Sequence, residues 1–390
     1  MKRHFKILLN VAICLSVVLI SGCRDVKEIQ LLNYATAIGV DYKNGKYHSY
    51  IQMVSFEGVA KTEGAEAPSS VWVSEAVAET FEDAFFEVYK TAQERIIWAH
   101  VTAILLSESA LKEGFDHIFD SLTRYYEFRL TPWIFGTKEP VKEVLASYGF
   151  FKQSSLDTIL HAPMSIHRQS SEIRPIKLHR FAREFFDPGE TTFIPSITIN
   201  KHTWKKNKLN ESKLAQNGAF FMKNERYRGF FSLRELNGLR WLTPETKRAS
   251  VVVPEEKNPE YQIVFEFPKS EIKVLFREGR PKFNIHLRIT GYFVNRTHNR
   301  TLALKEIEEK TKKAIIREIE ELYALGVEEK VDFFNFEHAL FQQDYKAWQR
   351  LRKDGGTILT EDSLQNINVN LSIKHTGRVK NRSVDMKEID

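Results

Sequence analysis

The sequence predicts an α+β protein of several domains, in which mixed β-sheets are packed with helices and a lipid anchors the N-terminus. Three observations lead to this prediction: a short apolar segment that ends in "SGC", a succession of strand and helix patterns after it, and a strictly alternating strand near the C-terminus. The 42% hydrophobic and 28% charged residues are typical of a globular protein. The 390 residues are enough for two or three domains.

The N-terminal segment, residues 1–22, has the organisation of a signal peptide. Three basic residues precede an apolar run at 7–20, which as a helix would span about 21 Å and would not cross the ~30 Å hydrocarbon core of a bilayer. The small residues Ser21 and Gly22 then precede Cys23, whose thiolate is a suitable nucleophile for a diacylglyceryl group. This order resembles the bacterial lipoprotein signal, so we expect lipidation at Cys23 and attachment to a membrane.

Composition excludes several classes of function. Cleavage before Cys23 would lower the formal net charge of +6 by three, which leaves too little positive charge to indicate nucleic-acid binding. Cys14 would leave with the signal peptide and Cys23 would be acylated, so no thiol would remain for a disulfide or a metal site. The basic stretch 201–208, "KHTWKKNK", is interpreted as a solvated loop or as a surface that faces anionic lipid.

The first predicted domain, residues 23–200, alternates strands with helices, which is typical of a sheet covered by helices. Asn44-Gly45 predicts the turn of a hairpin, and Thr80 with Asp83 has the spacing of a helix capping box. The apolar run 101–106 predicts a strand that is buried on both faces. The predicted strands are 35–41, 47–56, 101–106, 131–136 and 193–200, and the predicted helices are 80–93 and 115–126.

The remaining chain is predicted to form a small β-rich middle domain, 201–253, and a C-terminal α+β domain, 254–390. A hairpin at 217–233 with its turn at 223–226 defines the middle domain, and Pro254 begins a linker. The last domain has predicted strands at 261–267, 272–276 and 283–294, a helix at 304–325 that stops before Gly326, and an alternating strand at 366–374.

No reaction motif that depends on residue spacing is present, so no catalytic residue, metal site or cofactor site is predicted. His161, His167 and His179, with Glu172, do not have the spacing of a zinc site. We interpret them as solvated or locally hydrogen-bonded side chains. The segment "RYYEFR", which holds Arg124, Glu127 and Arg129, forms either an ion-pair network or a polar helix end in water.

The order of these blocks resembles the Ger(x)C family, the lipoprotein C subunits of nutrient-germinant receptors in spore-forming bacteria. The N-terminal block "GCRDVKEIQLLNYATAIGVDYKNGKYHSYIQMV" carries the lipidated Cys, the acidic residues and the Gly-apolar-Asp pattern of that family. The matching positions are Cys23, Asp25, Glu28, Gly39 and Asp41.

The block "WAHVTAILLSESALKEGFDHIFDSLTRYYEFR" continues the likeness. It has the family's His before an apolar strand, an acidic residue after it and an Arg, Glu, Arg cluster, at positions His100, Glu108, Arg124, Glu127 and Arg129. The segments "IPSI", "NGAFFMKNERYRGFFS" and "VDFFNFEHALFQQDYKAWQRLR" resemble later family blocks.

The sequence also departs from the family pattern. Arg24 replaces the usual Trp, "DFFNFE" lacks the usual glycines, and "DGGTILTEDS" lacks a Trp. These departures indicate a divergent member.

The resemblance implies an elongated, three-domain, non-catalytic lipoprotein on the outer face of the spore inner membrane. Its implied partners are a permease-like B subunit and an A subunit, and it would act in nutrient-triggered germination. It implies no cofactor beyond the covalent diacylglyceryl group on Cys23, with or without an N-acyl chain. We hypothesise that the five residues of the second block, from His100 to Arg129, maintain a domain or subunit contact.

Two other functions fit a lipid anchor. A lipid-anchored solute-binding protein would need a cleft between two similar lobes, whereas the thirds of this sequence look dissimilar. A cell-wall hydrolase would need paired carboxylates, a metal or a nucleophile, and none of these is indicated.

Overall fold

The structure is a computed structural model that describes residues 33–54, 70–124, 128–151, 153–253, 261–296, 302–353, 358–375 and 384–385. The predicted signal peptide with Cys23, Glu127 and the predicted linker after Val253 lie outside these residues. Within the described ranges, two main sheets are packed with helices, which confirms the α+β class. No described helix is both long and apolar enough to span a bilayer.

An 11-stranded sheet contains the first two thirds of the chain. Its strand order is β11-β10-β9-β7-β6-β1-β2-β3, with β4 paired to β2, β5 to β1 and β8 to β7. The strands are β1 (Asn33–Lys43), β2 (Lys46–Val54), β3 (Val71–Val73), β4 (Ala76–Ala78), β5 (Ile96–Ile97), β6 (Ala103–Ser107), β7 (Trp133–Thr137), β8 (Ile176–Lys177), β9 (Thr191–Lys206), β10 (Leu209–Lys223) and β11 (Arg226–Ser232).

Helices cover both faces of this sheet. They are α1 (Phe81–Tyr89), α2 (Glu108–Glu113), α3 (Phe115–Arg124), α4 (Val141–Leu145), α5 (Met164–Gln169) and α6 (Leu178–Phe186), with 3₁₀ turns at Trp98–His100 and Ser155–Asp157. The hydroxyl of Thr80 accepts a hydrogen bond from the backbone N–H of Asp83 and so caps α1, as the capping-box spacing predicts.

The centre of the large sheet is parallel, because β1, β6, β7 and β9 all run in one direction. Strand β6 is buried along its whole length. Ile104 and Leu106 contact the core on one face of the sheet, and Ala103 and Leu105 contact the core on the other. This arrangement confirms the prediction that the apolar run at 101–106 is a strand buried on both faces.

The hairpin turns follow the local sequence. Asn44 and Gly45 have φ angles of 54° and 76° between the antiparallel strands β1 and β2, which is the left-handed backbone that an Asn-Gly hairpin turn requires. Asn224 and Glu225 likewise have positive φ angles between β10 and β11. Both hairpin predictions are therefore confirmed.

A four-stranded sheet of order β12-β13-β14-β16 contains the last third of the chain. Its strands are β12 (Arg248–Val253), β13 (Tyr261–Arg277), β14 (Arg280–Arg296) and β16 (Leu364–His375), and β15 (Leu302–Ala303) pairs separately with β17 (Val384–Asp385). The helices are α7 (Leu239–Leu242), α8 (Leu304–Glu329), α9 (Phe336–Gln343) and α10 (Tyr345–Lys353). In β16, Val369, Leu371 and Ile373 are buried and alternate with exposed residues, as predicted.

The structure corrects two boundaries in this sheet and its helix. The predicted strands at 261–267 and 272–276 are one strand, β13, because the chain passes an irregularity at Phe267 (φ 50°) and then resumes its pairing with β14. Helix α8 does not stop before Gly326. A Cβ at residue 326 would lie 2.6 Å from the carbonyl oxygen of Val331, so this glycine accommodates the returning chain, and the helix ends at Lys330 in a left-handed conformation (φ 57°).

Residues 201–253, predicted to be a separate middle domain, have no sheet of their own. Strands β10 and β11 extend the large sheet, and β12 belongs to the four-stranded sheet. The reason is that β10 packs on both sides: Ala219 and Phe221 contact the core that includes the four-stranded sheet, and Phe220 and Met222 contact the core of the large sheet. The boundaries of the outer domains, 23–200 and 254–390, stay a prediction.

A buried ion pair fixes α8 against the segment that leads into β12. The guanidinium of Arg240 donates to both carboxylate oxygens of Glu318 at 2.8 and 2.9 Å, and Trp241 Nε1 donates to the same carboxylate at 2.5 Å. All three side chains are buried. Because a buried charge is costly without its partner, this cluster defines how α8 meets the rest of the chain.

We predict that Glu318→Gln lowers the free energy of unfolding by about 3 kcal/mol, because the buried guanidinium of Arg240 loses its buried carboxylate partner and keeps only the partly exposed Glu172, at 3.3 Å. Urea unfolding followed by circular dichroism measures the change. The control is Glu321→Gln on the same helix, where an exposed pair with Arg317 contributes about 0.5 kcal/mol or less. Equal effects of the two substitutions would contradict the prediction.

Candidate functional site

The carboxyl ends of the parallel strands form the candidate site. Because β1, β6 and β7 run in the same direction, the residues that end them meet at one edge of the sheet, where open α/β sheets commonly place their functional groups. Asp41 lies near the end of β1, Ser107 ends β6, and Lys138 follows β7. Glu108 begins α2 directly after β6.

Asp41 is buried and fully engaged in hydrogen bonds. Its carboxylate accepts from the hydroxyl of Ser109 at 2.8 Å and from the backbone N–H of Tyr42 at 2.9 Å, and it forms an ion pair with Lys43. Burial opposes ionisation of Asp41, but hydrogen bonds from Lys43, Ser107 and Ser109 outweigh it and lower the pKa of the carboxyl group. Ser107 also caps α2 by accepting from the backbone N–H of Ala110.

Glu108 connects the carboxyl ends of the central strands to β11, the last strand on one side of the sheet. Its carboxylate accepts a hydrogen bond from the hydroxyl of Tyr227 in β11 at 2.7 Å and pairs with Lys112 at 3.1 Å and Lys138 at 4.0 Å. Partial burial raises the pKa of Glu108, but these donors outweigh it, so that the pKa lies below its ordinary value. Burial, together with the bond to Glu108, raises the pKa of Tyr227, so the phenol stays a donor at neutral pH.

Gly39 explains the spacing of the Gly-apolar-Asp pattern. A Cβ at residue 39 would lie 2.5 Å from Cγ1 of Val141 and 2.9 Å from Cδ1 of Leu145, so only glycine lets α4 pack this closely on β1. Two residues later, Asp41 reaches the sheet edge and bonds to Ser109. The pattern therefore has one position for helix packing and one for the polar network.

The other predicted residues that the structure describes lie away from this site. His100 precedes β6 and so lies at the opposite end of that strand from Glu108; its exposed ring meets Tyr34 edge to face at 4.9 Å. Arg124 is exposed and pairs with Asp120 on its own helix at 2.7 Å, and Arg129 is exposed. Glu127 lies outside the described residues. For Arg124 the structure therefore favours a polar helix end in water.

The three histidines of the polar stretch make separate hydrogen bonds, and their partners lie 49 to 78 residues away in the chain rather than in the same stretch. His161 is buried against Thr102, with 2.6 Å between Nδ1 and the hydroxyl, and burial lowers the pKa of its imidazole to about 3. His167 contacts the carbonyl oxygen of Glu245 at 3.1 Å, and His179 contacts that of Leu130 at 2.9 Å.

A different group of possible metal ligands joins the two units. Asp187, Glu190 and His338 place one ligand atom each within 4.8 Å of one another. All three side chains are half-buried, and no further feature of the described residues indicates an ion there.

Tyr227 is not among the residues predicted from the sequence to form a site, and it lies 119 residues from Glu108 in the chain. No local pattern reports a contact at that separation. Ser107 and Lys138 could have been predicted from the sequence to lie at this site, because both stand at the carboxyl ends of predicted neighbouring strands. Several hydrogen-bond donors keep each of the two carboxylates, Asp41 and Glu108, ionised, and such a network makes this part of the protein rigid. Acid catalysis would instead need a carboxyl group with a raised pKa.

We predict that Asp41→Asn lowers the free energy of unfolding at pH 7 by about 1–3 kcal/mol, since hydrogen bonds to a charged acceptor are lost. The pKa of Asp41 is lowered in the folded state, so its contribution is present above the ordinary Asp value of about 3.9 and is lost as the pH falls through the folded-state pKa.

Urea unfolding between pH 7 and pH 3 measures this effect. The gap between the wild type and Asp41→Asn should shrink at the acid end, and Asp120→Asn, at an exposed pair, serves as the control. A gap that stays constant with pH would contradict the prediction.

Comparisons with known proteins agree with this architecture. A family profile described as the spore germination protein N-terminal domain matches residues 25–199, and one described as spore germination B3/GerAC-like, C-terminal, matches residues 216–377. The crystal structure of the GerBC protein superposes with a TM-score of 0.51 at 16% identity and covers 90% of this chain and all of that one. This match confirms the fold.

Three proteins of Bacillus subtilis (strain 168) are similar in sequence. The chain is 23% identical to the putative spore germination protein YfkR over 256 residues, which are 65% of this chain and 64% of that protein. It is 33% identical to spore germination protein KC over 135 residues, 32% of each chain, and 20% identical to spore germination protein B3 over 275 residues, 69% of this chain and 70% of that one. The first two matches thus span less than two thirds of those relatives.

Because the two family profiles cover most of the sequence in the family's order, the chain belongs to the GerAC family of spore germination proteins.

Proposed function

We propose that the protein is the lipoprotein C subunit of a spore germinant receptor. In this role it is required with the A and B subunits for nutrient-triggered germination, and it acts by assembly and signalling without a catalytic step. The observation that carries the proposal is the presence of both spore germination domains in one chain, at 25–199 and 216–377. The proposed partners are a permease-like B subunit and an A subunit.

The polar site supports a role in assembly. Asp41 and Glu108 are both held ionised by hydrogen-bond donors, and the Glu108–Tyr227 bond links two distant strands of the sheet. Such a network makes a surface rigid, and a rigid surface loses less entropy when a partner binds. The alternative of a solute-binding protein predicts two similar lobes, whereas the described residues form two unlike sheets.

The proposed location is the outer face of the spore inner membrane, with a diacylglyceryl group on Cys23 as the anchor. Two acyl chains give stable attachment where one chain would give only reversible binding. A tethered protein is confined to a thin layer above the membrane, which raises its effective concentration for membrane partners. Lipidation is therefore a physical advantage for a receptor subunit.

We expect Cys23→Ala to remain an unprocessed precursor without a lipid, because the nucleophile that would accept the diacylglyceryl group is gone. Metabolic labelling with a radioactive fatty acid and the size of the chain on a gel measure the outcome. Cys14→Ala, within the signal peptide, is the matched control and should be labelled normally. Labelling of Cys23→Ala would refute the anchor.

The receptor proposal is tested by affinity purification of the tagged protein from detergent-solubilised spore inner membranes, with the bound chains identified by mass spectrometry. We expect a permease-like protein and an A-type subunit. Replacing the exposed His100 and Arg129 by alanine should reduce their recovery without changing the unfolding midpoint, if these residues contact a subunit. Recovery of this chain alone from the wild type would contradict the receptor role.

A further inference from the structure

The hairpin formed by β9 and β10 projects from the body of the protein. The first seven residues of β9 are buried, whereas residues 201–210 at the end of the hairpin are all exposed. Six exposed residues of β9, at about 3.3 Å per residue, extend the hairpin by roughly 20 Å. The structure therefore presents a protruding tip, which we call the 201–210 tip.

The 201–210 tip shows apolar side chains to solvent on one face. Asn207 and Lys208 form its turn with φ angles of 49° and 73°, and the register pairs Leu209 with Lys206 across the strands. Residues two apart on a strand share a face, so Trp204, Lys206 and Leu209 lie on the same side. Trp204 is 51% exposed and Leu209 is 75% exposed.

A neighbouring loop adds aromatic rings beside this face. The ring of Phe150 meets Trp204 at 4.8 Å, and Phe151, which is 94% exposed, is held at a positive φ of 51°. The buried ammonium group of Lys213 donates to the carbonyl oxygens of Tyr148 and Gly149 at 3.4 and 3.2 Å. Lys213 thus fixes the loop in a conformation that leaves large apolar groups in water.

Positive charge surrounds these apolar groups. Residues 201–210 contain four lysines, at positions 201, 205, 206 and 208, and no acidic residue. The carboxylate that follows, Glu211, is engaged by Lys213 at 3.0 Å. Exposed aromatic and aliphatic groups flanked by lysines are typical of elements that lie in the interface of a bilayer, where the rings enter the headgroup region and the ammonium groups meet phosphate.

We infer that the 201–210 tip, with Phe150 and Phe151, docks on an anionic lipid surface. Trp204, Leu209 and Phe151 enter the boundary between headgroups and acyl chains, and the lysines pair with lipid phosphates. A convex tip fits a deformable lipid surface. A peptide partner would need a pocket on this protein to bury its side chains, and a convex tip offers none. This contact is additional to the receptor role and to the proposed tether at Cys23.

The test reconstitutes the mature chain into vesicles of phosphatidylcholine, with or without phosphatidylglycerol. An environment-sensitive fluorophore is attached to Leu209→Cys, and to Leu275→Cys as the matched control, because Leu275 is an exposed leucine near the tip of the β13–β14 hairpin. We expect a blue shift and quenching by spin-labelled lipid at position 209 only, and only with phosphatidylglycerol present.

Charge is tested separately in the triple variant Lys205→Gln, Lys206→Gln and Lys208→Gln. Each lysine near an anionic surface contributes about a fivefold factor, so we expect the docking constant to fall roughly 100-fold, with no change in the unfolding midpoint because these side chains are exposed. Equal signals from positions 209 and 275, or a signal that does not depend on phosphatidylglycerol, would overturn the inference. A signal that requires an added membrane protein would overturn it too and would assign the tip to an acidic protein surface.

Discussion

The inner parts of the strand pair β9–β10, residues 191–197 and 218–222, are buried on both faces, and the arrangement of the two units depends on them. Phe193 and Phe221 pack into the core that includes the four-stranded sheet and α8, while the next residue in β9, Ile194, and Phe220 pack into the core of the large sheet. One pair of strands is thus a wall shared by two cores. Because well-packed cores tolerate little change in volume, a shift of this wall would disturb both units at once.

Buried carboxylates specify how the chain closes around that wall. Glu184 accepts from Arg174 and from the hydroxyl of Thr192 in β9, at 2.7 to 2.8 Å. Lys223, at the end of β10, pairs with Glu337 of α9 at 2.6 Å, so this ion pair joins the large sheet to the C-terminal helices. Such pairs add little net stability over apolar packing, but each becomes costly when its partner is misplaced. They therefore favour one alignment of the two units over others that would bury similar apolar area.

Local patterns predicted the elements well and their assembly poorly. The Asn44-Gly45 turn, the buried strand β6 and the alternation of β16 each follow from a few neighbouring residues, and the structure confirms them. The prediction that α8 stops before Gly326 is wrong, because this glycine makes room for the carbonyl oxygen of Val331 and does not terminate the helix. Of the predicted site residues that the structure describes, only Glu108 joins the polar network, and its partner Tyr227 lies too far along the chain for any periodicity to reveal.

The positions of the proposed tether and the 201–210 tip limit how the protein can stand on a membrane. Strand β9 runs parallel to β1, so the tip extends beyond the sheet edge that carries Asp41 and Glu108, whereas Asn33 lies at the opposite edge. The ten residue steps from Cys23 to Asn33 span about 35 Å at most. A tether at one edge and a docking tip beyond the other can reach the same bilayer only when the body leans along its surface. Two such contacts would hold the edge with Asp41 and Glu108 close to the membrane, where the proposed A and B subunits would be within reach.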